Sequence, residues 1–123
     1  MPEFESIQTA KMDLRNPPVQ LQRVVERYIR AFAPERIVLF GSYAKGISQP
    51  GSDLDLLVVA DVTSDLGFQQ RRARQLAIDC FPRVDVVFAT PDDVATAATA
   101  KSPFLLSILE RGLVVYSRSG KGR

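Results

Sequence analysis

The apolar residues of this chain change period along its length, and the changes mark out its elements. Leu21, Val24, Val25, Tyr28, Ile29 and Phe32 recur at three- and four-residue intervals, the spacing of a helix with one buried stripe. Asn16-Pro17-Pro18 ahead of them supplies a cap and prolines suited to a first turn. Arg36-Ile37-Val38-Leu39-Phe40 is instead a short continuous run closed by Gly41, which reads as a strand buried on both faces. A short helix is predicted from Ser42, acting as its cap, to about Ile47, and Gln49-Pro50-Gly51-Ser52 is a turn by composition. A second strand is expected from Asp53 to about Ala60.

Thr63-Ser64-Asp65 can cap a helix running to about Cys80, ended by Pro82. That helix would turn Leu66, Ala73, Leu76, Ala77 and Cys80 to the core and Arg71, Arg72 and Arg74 to solvent. Val84 to Ala89 reads as a third strand. Thr90-Pro91-Asp92-Asp93 and Ser102-Pro103-Phe104 each open a helix with a cap, a proline and, in the first, acids near the positive end of the dipole. The last of these helices stops at Gly112, and Leu113 to Tyr116 is a final short strand. This order of elements predicts an α/β or α+β domain with helices packed on one small sheet.

The length of 123 residues fits one core. We take residues 1–116 as a single domain, with 1–15 as a flexible arm and 117–123 as a disordered basic tail. The formal charge of +2 owes much to that tail, which holds three of the sixteen basic residues. Residues 1–116 carry the other thirteen against fourteen acids, so the body has no global positive field for direct nucleic-acid binding. A lone cysteine, Cys80, excludes an internal disulfide and fits a reducing cytosol, hence a cytoplasmic location. No apolar run of membrane-spanning length occurs, so no membrane association is expected. Histidine is absent, which removes Ser-His-Asp, Cys-His and His-zinc chemistry together. If the chain is an enzyme, carboxylates or metals do the work.

The stretch GSYAKGISQPGSDLDLLVV, residues 41–59, supplies candidates. Side chains alternate along a strand, so Asp53 and Asp55 share a face, with Cα atoms roughly 7 Å apart. Unpaired, these acids would repel and lose hydration, a conflict that a divalent cation removes. Mg²⁺ suits them, since it takes oxygen ligands from one or two carboxylates, water and phosphate. Gly41-Ser42, between a buried strand and a helix, lets a phosphate approach backbone N–H groups, and Ser42 adds a hydroxyl. Asp85, inside the apolar run Val84-Asp85-Val86-Val87-Phe88, is a third acid that needs a partner and could complete a two-metal site. Each feature has a structural alternative: a common strand-to-helix turn for Gly41-Ser42, a turn residue for Asp53, a charge against edge pairing for Asp55, an arginine partner such as Arg36 or Arg83 for Asp85. Their conjunction favours function.

With Gly41-Ser42, ten residues, Asp53-Leu54-Asp55 and the later Asp85, the chain resembles the polymerase-β-type nucleotidyltransferase superfamily over roughly residues 20–116. The form it most resembles is the minimal nucleotidyltransferase domain, and ILERGLVVY near the end is similar to the usual close of such chains. The resemblance implies a small mixed sheet with helices packed on it, and transfer of AMP from ATP, with two Mg²⁺ ions, to a hydroxyl. It implies a partner as well: a HEPN-type toxin whose tyrosine is the acceptor, with this chain as antitoxin, alone or in a homo- or hetero-oligomer. By position, Gly41, Ser42 and Lys45 would contact the nucleotide, and Asp53, Asp55 and Asp85 would hold metal and serve catalysis. Two alternatives stay open: an antitoxin that neutralises by binding alone, and an aminoglycoside-like small-molecule nucleotidyltransferase.

Overall fold

The computed structural model describes residues 19–46, 53–61, 65–80, 83–97, 99 and 102–118. In chain order the elements are α1 (Val19–Phe32), β1 (Arg36–Phe40), α2 (Ser42–Lys45), β2 (Leu54–Val59), α3 (Leu66–Leu76), β3 (Val84–Ala89), α4 (Pro91–Ala95), α5 (Pro103–Arg111) and β4 (Leu113–Ser117). The strands form one mixed sheet in the order β3-β2-β1-β4. Both neighbours of β1 run antiparallel to it, while β2 and β3 are parallel, joined by α3 as their crossover. This is the small helix-covered α+β sheet that the element order predicts.

Alternation sorts the strand residues onto two faces. Ile37 and Leu39 of β1, Leu54, Leu56 and Val58 of β2, and Leu113 and Val115 of β4 pack with Leu21, Val24, Val25 and Tyr28 of α1 and Ala73 of α3. Val38, Leu57, Val59 and Ala89 form a smaller cluster on the opposite face with Ile108 of α5. The buried middle of β1 therefore faces both layers, as its unbroken apolar run requires. On the α1/α3 face, the Tyr28 hydroxyl donates to the Ala73 carbonyl at 2.8 Å, joining the two helices. Arg27 adds bonds to the Leu76 carbonyl at 2.8 Å and to Asp79 at 2.6 Å.

Several boundaries differ from expectation. The cap of α2 is Gly41 rather than Ser42, and no side chain caps it; α2 is a single turn closed by left-handed Gly46. Helix α3 starts from an Asp65 cap and ends at Leu76, short of Cys80, with turns over residues 77–79 carrying the chain on. Leu66, expected in the core, is 52% exposed at the first position of α3, whereas Ala73 further along the helix is fully buried. Arg71, Arg72 and Arg74 do face solvent, Arg72 also lying over the Phe32 ring. The cap expected at Thr90 forms, and Asp93 completes it as a capping box, the two residues exchanging bonds at 3.0 Å. Ser117, assigned above to the tail, pairs with Arg36 as the last residue of β4, and just beyond the sheet the Arg118 N–H donates to the Glu35 carbonyl at 2.9 Å. The expected arm at 1–15, the Asn16-Pro17-Pro18 start, the turn at 49–52, Thr63-Ser64, Pro82 and the remainder of the tail lie outside the described residues. Among the described residues, no helix is long and apolar enough to cross a membrane.

Candidate active site

Sheet topology decides which sequence candidates meet. β1 ends at Phe40 where β2 and β3 begin, and the register pairs Phe40 with Asp55 and Asp55 with Asp85. Phe40, Asp55 and Asp85 thus form one row across three adjacent strands. By alternation the row lies on the α5 side of the sheet, the side of Val38, Leu57, Val59 and Ala89. Asp53 falls just before β2 on the same side, where the Leu54 N–H donates to the Arg83 carbonyl at 2.8 Å and ties the two strand starts together.

The three acids differ in surroundings. Asp85 is exposed, whereas Asp53 and Asp55 are half-buried. Asp55, in the middle, is pushed up to about 6 from an ordinary value of 3.8, first by loss of hydration and then by the negative charges of Asp85 and Asp53. Among the described residues no arginine pairs with Asp85, which sets aside the structural alternative offered by Arg36 or Arg83. Nor do three acidic or thiol side chains among the described residues close into a ready-made metal cage. The carboxylates gather without converging, as uncompensated like charges do. An all-oxygen donor set whose central member is destabilised by lost hydration and by its neighbours' charges fits a hard divalent cation, because the cation compensates both.

Gly41 explains how the turn reaches the acids. Its φ of +81° and ψ of −156° lie in a region open essentially to glycine alone, and a Cβ built there would overlap Asp55 Oδ2. The backbone therefore passes directly against the central carboxylate. Ser42, half-buried, is the first helical residue instead of the cap. Because α2 has only one turn, its dipole is weak; what the turn offers an anion is close backbone N–H groups and the Ser42 hydroxyl. Lys45 is exposed at the far end of the same turn.

A cleft of about 140 Å³ lies between α2 and α5 beside Gly41. Lys45 and Ala44 form one wall, and Phe104, Ser107, Ile108 and Arg111, one face of α5 at helical spacing, form the other. Phe40 lies at its base with its ring 6.0 Å from that of Phe104, edge to face. Sequence reasoning passed over Phe104, Ser107 and Arg111. Their shared face was visible in the spacing, but nothing in the chain order brings that face to α2.

The match of a family model then settles the class: the model for the nucleotidyltransferase domain covers residues 20–116. The chain belongs to this family. Its polymerase-β-type nucleotidyltransferase fold is the one that Gly41-Ser42 and Asp53-Leu54-Asp55 imply. Among solved structures, a crystal structure of a toxin–antitoxin with AMP-PNP is similar to it, with a TM-score of 0.57 and 24% identity over 85% of this chain and 79% of that one. No curated protein matches the chain. In this nucleotidyltransferase domain, then, the acid row and the Gly41 turn stand at the same end of the sheet.

Proposed function

We propose that the chain transfers AMP from ATP to a hydroxyl, a tyrosine of a HEPN-type toxin, and acts in the cytoplasm as that toxin's antitoxin. The observation that carries this reading is the row of Asp53, Asp55 and Asp85 beside Gly41, with the charge of the central acid disfavoured first by loss of hydration and then by the other two. Membership of the nucleotidyltransferase family supports the reaction class. The similar fold of a toxin–antitoxin crystallised with AMP-PNP supports the partner class and the nucleotide.

In this reading Asp53, Asp55 and Asp85 are the residues that would hold Mg²⁺, which when bound neutralises phosphate charge and activates the acceptor hydroxyl. Gly41 and Ser42 hold the triphosphate by backbone and hydroxyl donors, and Lys45 balances its charge. Exposed Asp85, at the outer strand of the row, is open to an incoming acceptor and takes up its proton. The acceptor oxygen bonds to the α-phosphorus, the bond from that phosphorus to the bridging oxygen breaks, and pyrophosphate leaves with the electron pair. The protein's part is alignment and charge balance, which needs no histidine.

Intact-mass spectrometry of the toxin after incubation with this chain, ATP and Mg²⁺ tests the reading. The expected result is a gain in AMP units that disappears with the Asp53→Ala/Asp55→Ala double variant. A stable complex with no mass gain, together with double-variant cells still protected from the toxin, would replace transfer by neutralisation through binding.

A further inference from the structure

We propose that the α2–α5 cleft holds the leaving-group end of the triphosphate, and that Arg111 is a second cationic arm on it, opposite Lys45. The proposal rests on the nucleotidyltransfer reading above and adds to it a residue on a different element from the Gly41 turn. Its starting point is the order of groups across the sheet. Displacement at a phosphorus places acceptor and leaving group roughly in line on opposite sides of the reacting atom. Here the sheet order runs Asp85 on β3, Asp55 on β2, Phe40 on β1 with Gly41 just beyond it, and then the Arg111-Gly112 junction leading into β4. With the acceptor at the exposed Asp85 end and the α-phosphate at Asp55, the outgoing phosphates pass over Gly41, and the next space in that direction is the cleft.

The lining has the chemistry for that end of the ligand. Lys45 from α2 and Arg111 from α5 border the same space from facing walls. Among the described residues, neither side chain is engaged in an ion pair or hydrogen bond. Ser107 lines the same space and offers a hydroxyl, and the Phe40 ring, in edge contact with that of Phe104, adds an apolar part to the lining. A guanidinium presents a planar fork that matches phosphate oxygens in pairs, which an ammonium cannot do.

The test is calorimetric binding of inorganic tripolyphosphate and of AMP to the full chain, using wild type, Arg111→Gln, Arg111→Lys and, as a charge-matched control, Arg71→Gln on α3. We expect Arg111→Gln to weaken tripolyphosphate about tenfold, the effect of losing one charge-assisted hydrogen bond. Arg111→Lys should recover part of that loss, Arg71→Gln should match wild type, and AMP, which lacks the outgoing phosphates, should bind all four alike. Equal weakening by Arg71→Gln, no tripolyphosphate binding by wild type, or a loss of AMP binding at Arg111→Gln would overturn the proposal, the last assigning the cleft to the nucleoside. Arg111-dependent tripolyphosphate binding without AMP transfer to the toxin would sink the function and leave the cleft standing. Transfer with an unchanged KM for ATP in Arg111→Gln would do the reverse.

Discussion

The two faces of the sheet are built to different ends. On the α1/α3 face, alternate residues of every strand meet apolar side chains, and the Tyr28 hydroxyl donates to the Ala73 carbonyl. On the α5 face the apolar layer is thinner and covers only part of the strands; where it stops, Asp55 and Asp85 continue the row of Phe40. One side of β2 thus reads Leu54, Leu56 and Val58, all buried, while the other reads Asp55 and then Leu57 and Val59. The comparison teaches that a strand can anchor a core with one face while its other face keeps charges close together. Rigidity on the first side holds the acids where like charges would not settle unaided.

The largest expected effect falls on the charged face. Asp55→Ala should lower nucleotidyl transfer by at least about a thousandfold, as loss of a central charge-bearing group does at such sites, while the metal-free protein melts no lower than wild type. Transfer within tenfold of wild type in a radiolabelled-ATP assay would break the distinction between the faces. On the other face, Leu56→Ala should cost about 2–5 kcal/mol in urea unfolding, because it opens a cavity at a site with no exposure. A cost below about 1 kcal/mol would mean that the α1/α3 layer can collapse around the gap, and the supposed rigid support would be lost.

A pH series sharpens the comparison. Asp55 binds its proton more tightly folded than unfolded, so between its ordinary 3.8 and about 6 the folded state holds more protons, and stability must fall as pH rises through that window. The loss should be about 1–2 kcal/mol, allowing for solvent screening of a half-buried group. It should be absent in Asp55→Asn, and Mg²⁺ should restore stability to wild type more at pH 7 than at pH 5. Identical pH profiles for the two proteins in chemical denaturation would show that burial and the neighbouring acids together do not disfavour the Asp55 charge. The smallest effect is Tyr28→Phe, expected to cost about 1 kcal/mol for one net hydrogen bond and to leave transfer unchanged. A fall in transfer would mean that the two faces are coupled.

Much of this was legible along the chain because it depends on near neighbours. The β1 and β3 runs, the Thr90 capping box and the stop at Gly112 all lie where short-range pattern puts them. Asp53 and Asp55 could be placed on one side from alternation alone. The cap of α2 was misjudged, since Ser42 is a good cap by type, yet the chain needs a backbone conformation there that only Gly41 can adopt against Asp55. Leu66 was misplaced because helical spacing gives a face but not how much of that face the rest of the fold covers.

By itself, then, the sequence determined the elements, the absence of histidine chemistry and the motif spacing from Gly41 to Asp55. Only the tertiary structure decided that Asp85 lies beside Asp55, that Phe40 completes their row, and that α5 brings Arg111 to the cleft shared with Lys45. These are contacts between segments fifteen to nearly seventy residues apart. Periodicity is set by the geometry of one segment, whereas such contacts are set by strand order and register, which emerge only when the whole sheet buries its apolar faces at once.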